Sequence, residues 1–241
     1  MLPRISVITV VFNAKDDIEL TIRNVLDIDY PNLEYVIVDG GSTDGTKEII
    51  AKYANRIDHY ISEVDDGLYD AMNKGTNVAT GQWLNFMNAG DKFHNSLDFS
   101  QLNLNLFSDK AIVYGNTYRR KTEKITKAHD ESHVEKFGHV MTCHQSMFFN
   151  KELVREELSY DSSLDFSGDS ELVTRLYLLK YKFQYLNMTI GDFKGDGLAS
   201  GGNIPFEKKL KARIDYFKYI KRHLGLTRAL KLTLNYFVKI S

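Results

Sequence analysis

Two rhythms of apolar and polar positions run along this chain. Residues 5–12 form an uncharged run of β-branched and aromatic side chains, the pattern of a strand covered on both faces. Ile18, Ile22, Val25 and Leu26 then recur at helical spacing, which predicts a helix over 16–26. A second buried strand is predicted over 33–38, followed by a glycine-rich turn and a helix carrying Ile49, Ile50 and Tyr53. A weaker strand over 57–61, a helix over 68–79 and a fourth strand over 82–87 follow. Strand and helix thus alternate through the first 90 residues, the signature of a parallel sheet with crossover helices. Such sheets bind ligands beyond the carboxyl ends of their strands.

The rest of the chain is less regular. Residues 111–118, 146–149 and 182–190 read as strands, 170–180 as a helix, and the charged stretch 119–135 as a loop or short hairpin. The glycine-dense segment 191–202 is expected to be a mobile loop, because so many φ-permissive residues disfavour a regular element. Residues 205–222 and 227–240 read as amphipathic helices. There is no internal repeat and no clear linker between domains.

With 241 residues, 43% hydrophobic, the chain suits one α/β unit that can bury a full core. A net charge of -1 argues against a nucleic-acid binder. That total conceals a split: residues 205–241 carry ten Lys or Arg against Glu207 and Asp215, and the remainder is correspondingly acidic. Cys143 stands alone, so no intrachain disulfide forms. No signal-peptide pattern opens the sequence, and its first apolar run is far shorter than a membrane span. The expectation is a cytoplasmic protein, with peripheral contact at the inner face of a plasma membrane as one role for the basic end.

Three segments at predicted strand ends carry candidate chemistry. VDGGSTDGT, residues 38–46, ends a strand and opens a helix; it reads equally as a capped turn or as a loop admitting a ligand to the backbone. DDGLYDAMNKG, residues 65–75, sets acids before a helix, where the macrodipole favours them, and alone would read as a solvated helix start. NAGD, residues 88–91, closes a buried strand with one carboxylate, a turn residue or a ligand for a hard cation.

Taken in order with ISVITVVFN at residues 5–13, these motifs resemble the inverting family 2 glycosyltransferases, most closely a bacterial branch acting in surface-polysaccharide assembly. The resemblance spans about residues 4–200 and is strongest over the first 95. It implies an α/β fold of GT-A type, a Rossmann-like mixed sheet, to which the apolar pattern of the uncovered tail adds C-terminal amphipathic helices. It implies a domain over 1–203, split into a nucleotide-binding half at 1–95 and an acceptor half at 96–203; charge and periodicity make 204–241 a basic helical extension beyond it. By the same resemblance, Thr9, Val11 and Asn13 lie along the nucleotide, Asp39 reads the base, and Asp66, Asn73, Lys74 and Asn88 line the nucleotide-sugar pocket. Asp91 falls where the family holds Mn²⁺ or Mg²⁺, and Asp169, in the segment Ser167 to Leu172, where it has its catalytic base. His144 and Gln145 match a step near the acceptor site, although a structural histidine fits as well. The implied partners are a nucleoside-diphosphate sugar and a saccharide or polyprenyl-linked acceptor, with an anionic membrane or self-association through 205–241.

Two positions depart from the family pattern. Gly40 stands where many relatives have a second Asp, and Gly90 precedes Asp91 where relatives often have Asp. The first bears on uracil reading, the second on a ribose contact. They leave room for an alternative, a nucleotide-sugar-binding or assembly subunit without transfer activity. A pyrophosphorylase is disfavoured because residues 11–14 lack an arginine-bearing glycine loop. A dinucleotide-binding dehydrogenase is disfavoured because no Gly-x-Gly-x-x-Gly follows the first strand.

Overall fold

The computed structural model describes residues 2–195 and 205–238. The chain starts with the expected alternation: β1 (Ile5–Val11), α1 (Ile18–Leu26), β2 (Leu33–Asp39), α2 (Thr46–Ala51), β3 (His59–Ser62), α3 (Leu68–Val78) and β4 (Trp83–Phe86). A two-residue strand β5 (Lys92–Phe93), β6 (Ile112–Arg119), β7 (Lys124–Thr126), α4 (Ser132–Phe137), β8 (Met147–Asn150) and the short α5 (Lys151–Val154) follow. The described chain ends with α6 (Gly168–Leu178), β9 (Phe183–Phe193), α7 (Phe206–Leu224) and α8 (Leu226–Val238).

Among the described residues nine strands join one sheet in the order β3-β2-β1-β4-β8-β6-β9-β5, with β7 paired to β6. The first four run parallel, Val11 opposite Asp39 and Ile8 opposite Phe86. β8 then runs antiparallel to both β4 and β6. The sheet is therefore mixed, as the resemblance implied.

Burial on both faces explains the unbroken apolar run of β1. Ile8 and Val10 pack with Met72 and Ala71 of α3, whereas Val7 and Val11 pack with Ile18, Ile22 and Val25 of α1. Shortening Ile8, Ile18, Ile22 or Met72 to alanine costs roughly 2–5 kcal/mol, because the cavity left behind collapses only in part.

The stretch 119–135 is a hairpin, with Thr117 opposite Thr126 and Arg119 opposite Lys124, followed by the first residues of α4. One expectation needs correcting. The loop predicted from residue 191 starts later, because β9 runs on to Phe193: Gly191 pairs with both Phe93 and Thr117, so two neighbours supply the ladder that glycine propensity alone disfavours. The remainder of that predicted loop, from residue 196, lies outside the described residues.

Both C-terminal helices form, and α7 divides its apolar residues between two surroundings. Tyr216, Tyr219 and Ile220 are buried, while Phe206, Leu210 and Ile214 are exposed. Tyr216 and Tyr219 donate hydroxyl hydrogen bonds to the carbonyls of Phe137 and Gly138. Among the described residues, no helix is long and apolar enough to cross a membrane.

Candidate active site

β1 lies between β2 and β4, so the chain first builds outward on one side of it and then crosses to the other. That reversal is the topological switch point at which open α/β sheets bind ligands. A cavity of about 830 Å³ opens there, lined by Val10, Val11 and Phe12 after β1 and by Asn88, Ala89 and Asp91 after β4. Tyr69 of α3, the turn carrying His144 and Gln145, and Asp169 of α6 complete this part of the wall.

Asp91 is fixed by a clamped turn. The Thr21 hydroxyl of α1 accepts from the Gly90 N–H at 3.0 Å and donates to the Asp91 carbonyl at 2.6 Å. Gly90 takes φ +92°, a left-handed conformation that a side chain resists; the residue departing from the family pattern thus supplies the turn's geometry. The Asp91 carboxylate, 5% exposed, accepts from the Lys194 N–H at 2.8 Å and from the Gln145 amide. Burial pushes its pKa above the ordinary carboxylate value, opposed by the Lys194 N–H, the charge of His144, the Gln145 amide and Arg120.

Asp169 sits in the first turn of α6, where the helix dipole favours a carboxylate. Its Oδ2 pairs with His144 Nδ1 at 2.9 Å. Burial works to lower the His144 pKa, and the charge and hydrogen bond of Asp169, helped by Asp91, raise it on balance. Gly168 lets α6 start here: a Cβ would lie 2.6 Å from the Tyr69 ring, which itself stacks on Tyr160 at 5.3 Å. α7 braces the approach from outside, where buried Asp215 accepts from the N–H groups of Asp165 and Phe166 at 2.7 and 3.1 Å.

Of the residues expected at the site, Val11, Asn88, Asp91, His144, Gln145 and Asp169 line the cavity. Others do not. Thr9 is buried with its hydroxyl 3.1 Å from that of Tyr35, because alternation along β1 turns it to the α1 face. Asp39 is buried beside the cavity, its carboxylate accepting from the Ser42 N–H at 3.1 Å and the Ser62 hydroxyl at 2.7 Å. Asp39 therefore does not share one hollow with Asp91 and Asp169. Asn13 accepts from the Thr43 N–H at 2.9 Å and steadies that loop. Asn73 exchanges two hydrogen bonds with the Tyr160 backbone, Lys74 pairs with Glu63 and Asp70, and Asp66 uses its N–H to bond Asp70. A segment read as pocket lining is mainly a brace, and the residues of it facing the cavity are Asp65, Gly67, Leu68, Tyr69 and Ala71.

Sequence reasoning missed Tyr69, Arg119, Lys127, His129 and His133, all of which line the cavity. A signal existed for the last two: four of the seven histidines fall within residues 129–144. Cys143 also lines the cavity, and burial pushes its thiol pKa up, so it is poorly suited to act as a nucleophile.

Nine buried side-chain polar atoms lack a hydrogen-bond partner among the described residues, and four belong to this wall: Asn88 Oδ1, His144 Nε2, Gln145 Oε1 and Asp169 Oδ1. Native interiors satisfy such atoms, so a concentration of them in one cavity suits a polar ligand. For a metal, no three His, Cys, Asp or Glu side chains gather among the described residues. One buried carboxylate beside the partnerless Gln145 oxygen nevertheless fits a hard cation that takes the rest of its shell from substrate phosphates.

Known proteins resemble this chain in sequence and in fold. The family model described as "Glycosyl transferase family 2" matches residues 6–166. A glycosyltransferase of Mycobacterium tuberculosis is 29% identical over 185 residues, spanning 73% of this chain and 70% of that protein. A Bacillus subtilis glycosyltransferase named for teichuronic acid biosynthesis is 41% identical over 95 residues, 38% of this chain and 37% of its own. Among solved structures, S. aureus TarS in complex with UDP superposes with a TM-score of 0.70 over 97% of this chain and 70% of its own, at 14% identity. The mannosyltransferase PcManGT from Pyrobaculum calidifontis, in complex with GDP-Man and Mn²⁺, gives 0.69 over 98% and 74%, at 17% identity. At such identities the two structures speak for the GT-A fold alone.

Proposed function

This chain belongs to glycosyl transferase family 2 and is a glycosyltransferase, and we propose that it transfers a sugar, with inversion and metal dependence, from a nucleoside-diphosphate donor to a saccharide or lipid-linked acceptor in bacterial polysaccharide synthesis. The four partnerless polar atoms around Asp91 and Asp169 carry the proposal, since transfer needs both a diphosphate site and a proton acceptor on one cavity.

The donor lies along Val11 and Asn88 with its diphosphate toward Asp91. Asp91, with the Gln145 oxygen, would hold Mn²⁺ or Mg²⁺, which supplies charge against the diphosphate as it leaves. Thr9, Asn13, Asp39, Asp66, Asn73 and Lys74 serve by building the walls and loops around this pocket, in keeping with their observed partners.

Asp169 takes the proton of the acceptor hydroxyl. Its Oδ2 is engaged by His144 and its Oδ1 is the partnerless oxygen, so one lone-pair site is left for that proton. His144 acts here as a positioning residue. Attack on the anomeric carbon from the side opposite the departing diphosphate inverts its configuration, without a second carboxylate as nucleophile. Two carboxylates with separate duties favour an active transferase over a binding subunit of the same fold.

A thermal-shift screen of UDP, GDP and their sugars with Mn²⁺ tests the donor class. One nucleotide family should raise the melting temperature by several degrees, and only with metal present. No shift from any nucleotide would remove the reading.

A further inference from the structure

A second stretch of the cavity wall is cationic. Arg119 ends β6 and donates Nε–H to the Thr126 hydroxyl at 3.0 Å, while its guanidinium lies 5.7 Å over the Phe193 ring. Lys127 follows Thr126 and is exposed at the cavity rim. The chain then turns inward, the His129 N–H donating to the Met141 carbonyl at 2.9 Å. This brings the His129 and His133 rings face to face, with centroids 4.0 Å apart and planes within 5°.

The fixed charges of this stretch, on Arg119 and Lys127, meet no ion-pair partner among the described residues, although the carboxylate of Asp130 feels the charge of His129. Lys194, elsewhere on the cavity, is by contrast paired with Asp17 at 2.8 Å. The nearby Asp130 does not line the cavity, and its carboxylate accepts from the Ser132 N–H. Among the described residues five acids line the cavity: Asp91 and Asp169 belong to the proposed donor and base positions, Asp17 pairs with Lys194, Asp165 pairs with Lys211, and Asp65 accepts from the Gly67 N–H. Unpaired cations in a concave, partly desolvated surface concentrate an anion, and a guanidinium fork matches phosphate or carboxylate geometry. A neutral sugar would give these side chains nothing to neutralise.

Resting on the transferase reading above, we propose that the acceptor presents an anionic group, a phosphate or a carboxylate, to Arg119, Lys127, His129 and His133. This subsite selects a charged acceptor and fixes its reach to Asp169. The diphosphate of the donor occupies a different part of the cavity, next to Asp91.

The test is a calorimetric titration of phenyl phosphate, glucuronate and glucose into the full chain in EDTA, repeated with UDP or GDP and Mn²⁺ present. At least one of the two anions should bind tenfold or more tightly than glucose, and which one binds identifies phosphate or carboxylate as the source. The exposed substitutions Lys127→Glu and His129→Gln should each weaken that binding about tenfold or more while leaving Mn²⁺-dependent nucleotide affinity unchanged. Asp91→Ala should do the reverse, so loss of the donor reading and loss of the anion subsite are separable. Anions that bind no better than glucose, or that bind equally to both rim variants, would overturn the proposal.

Discussion

The donor and acceptor sides of this cavity are assembled over different distances along the chain. On the donor side, Ser42 bonds Asp39 three residues away at the end of β2, whose neighbours are parallel, and Thr46 bonds Asp44 two residues away at the start of α2. On the acceptor side, α7 supports the Asp165–Phe166 backbone across about fifty residues, and Tyr219 reaches Gly138 across 81. Asp91 joins the two sides, because its carboxylate is held by Gln145 and by Lys194, 54 and 103 positions away. A donor site that joins local turns through contacts spanning 23 to 30 residues can be carried as a few short motifs in order. An acceptor site made of remote contacts can change by altering any one of several segments.

The largest effect that would separate the two sides lies at Asp169. Asp169→Asn keeps the shape of the side chain and removes the proton acceptor, so transfer should fall by roughly 10²- to 10⁴-fold. Donor affinity should hold, since the substituted residue belongs to the acceptor side. Product formation measured by chromatography within severalfold of wild type would take Asp169 out of the base position.

Next in size is the brace. Asp215→Ala removes a charged acceptor from two backbone N–H groups, which costs about 1.5–3 kcal/mol and lowers the melting temperature by roughly 4–8 °C. Ser42→Ala, on the donor side, takes away one hydroxyl bond to the Asn13 N–H and should cost about 1 kcal/mol. Equal losses from the two substitutions would show that the acceptor side does not depend on α7 as described.

The remaining effect, absent near neutral pH and growing only on acidification, is on pH dependence. Burial, with the charge of His133, lowers the pKa of His139 from 6.5 to about 4. The unfolded chain therefore binds this proton at higher pH than the folded chain. Its contribution to stability is complete above the unfolded value and is lost as pH falls from about 6.5 toward 4. Glu34, buried at the start of β2, behaves otherwise: burial alone would raise its pKa, but bonds from Ser6 and Thr80 and the charge of Arg4 hold it lowered. Its contribution is lost only on acidification through and below the ordinary carboxylate range. Melting curves of wild type should decline through the histidine window, and those of His139→Phe should decline less there. Identical curves would mean that His139 does not make the acceptor side sensitive.

The same division decides what could be read from the sequence. Strand and helix in the first 90 residues follow from periodicity, and β1 to β4 lie within two or three residues of their predicted ends. Val11, Asn88 and Asp91 could be placed because the family resemblance assigns them and they fall at or just after strand ends, where the cavity opens. Thr9 could not, since alternation on a doubly buried strand is invisible when both faces are apolar. Asn73 and Lys74 look like ligands only until Tyr160 and Glu63 are brought to them by the fold. The cationic wall was not legible because Arg119 comes from the end of β6, Lys127 and His129 from the segment after β7, and His133 from α4, in a charged stretch whose turning the sequence pattern does not show. The clustered histidines were the one local trace of it.

The central claim is that Asp91 and Asp169 serve one cavity in separate duties. Calorimetric titration of the nucleoside diphosphate that binds wild type, with and without Mn²⁺, into Asp91→Ala and Asp169→Asn addresses it directly. Asp91→Ala should lose the metal-dependent part of the affinity, and Asp169→Asn should bind as wild type does. Unchanged metal-dependent binding by Asp91→Ala, or its loss in Asp169→Asn, would contradict the account.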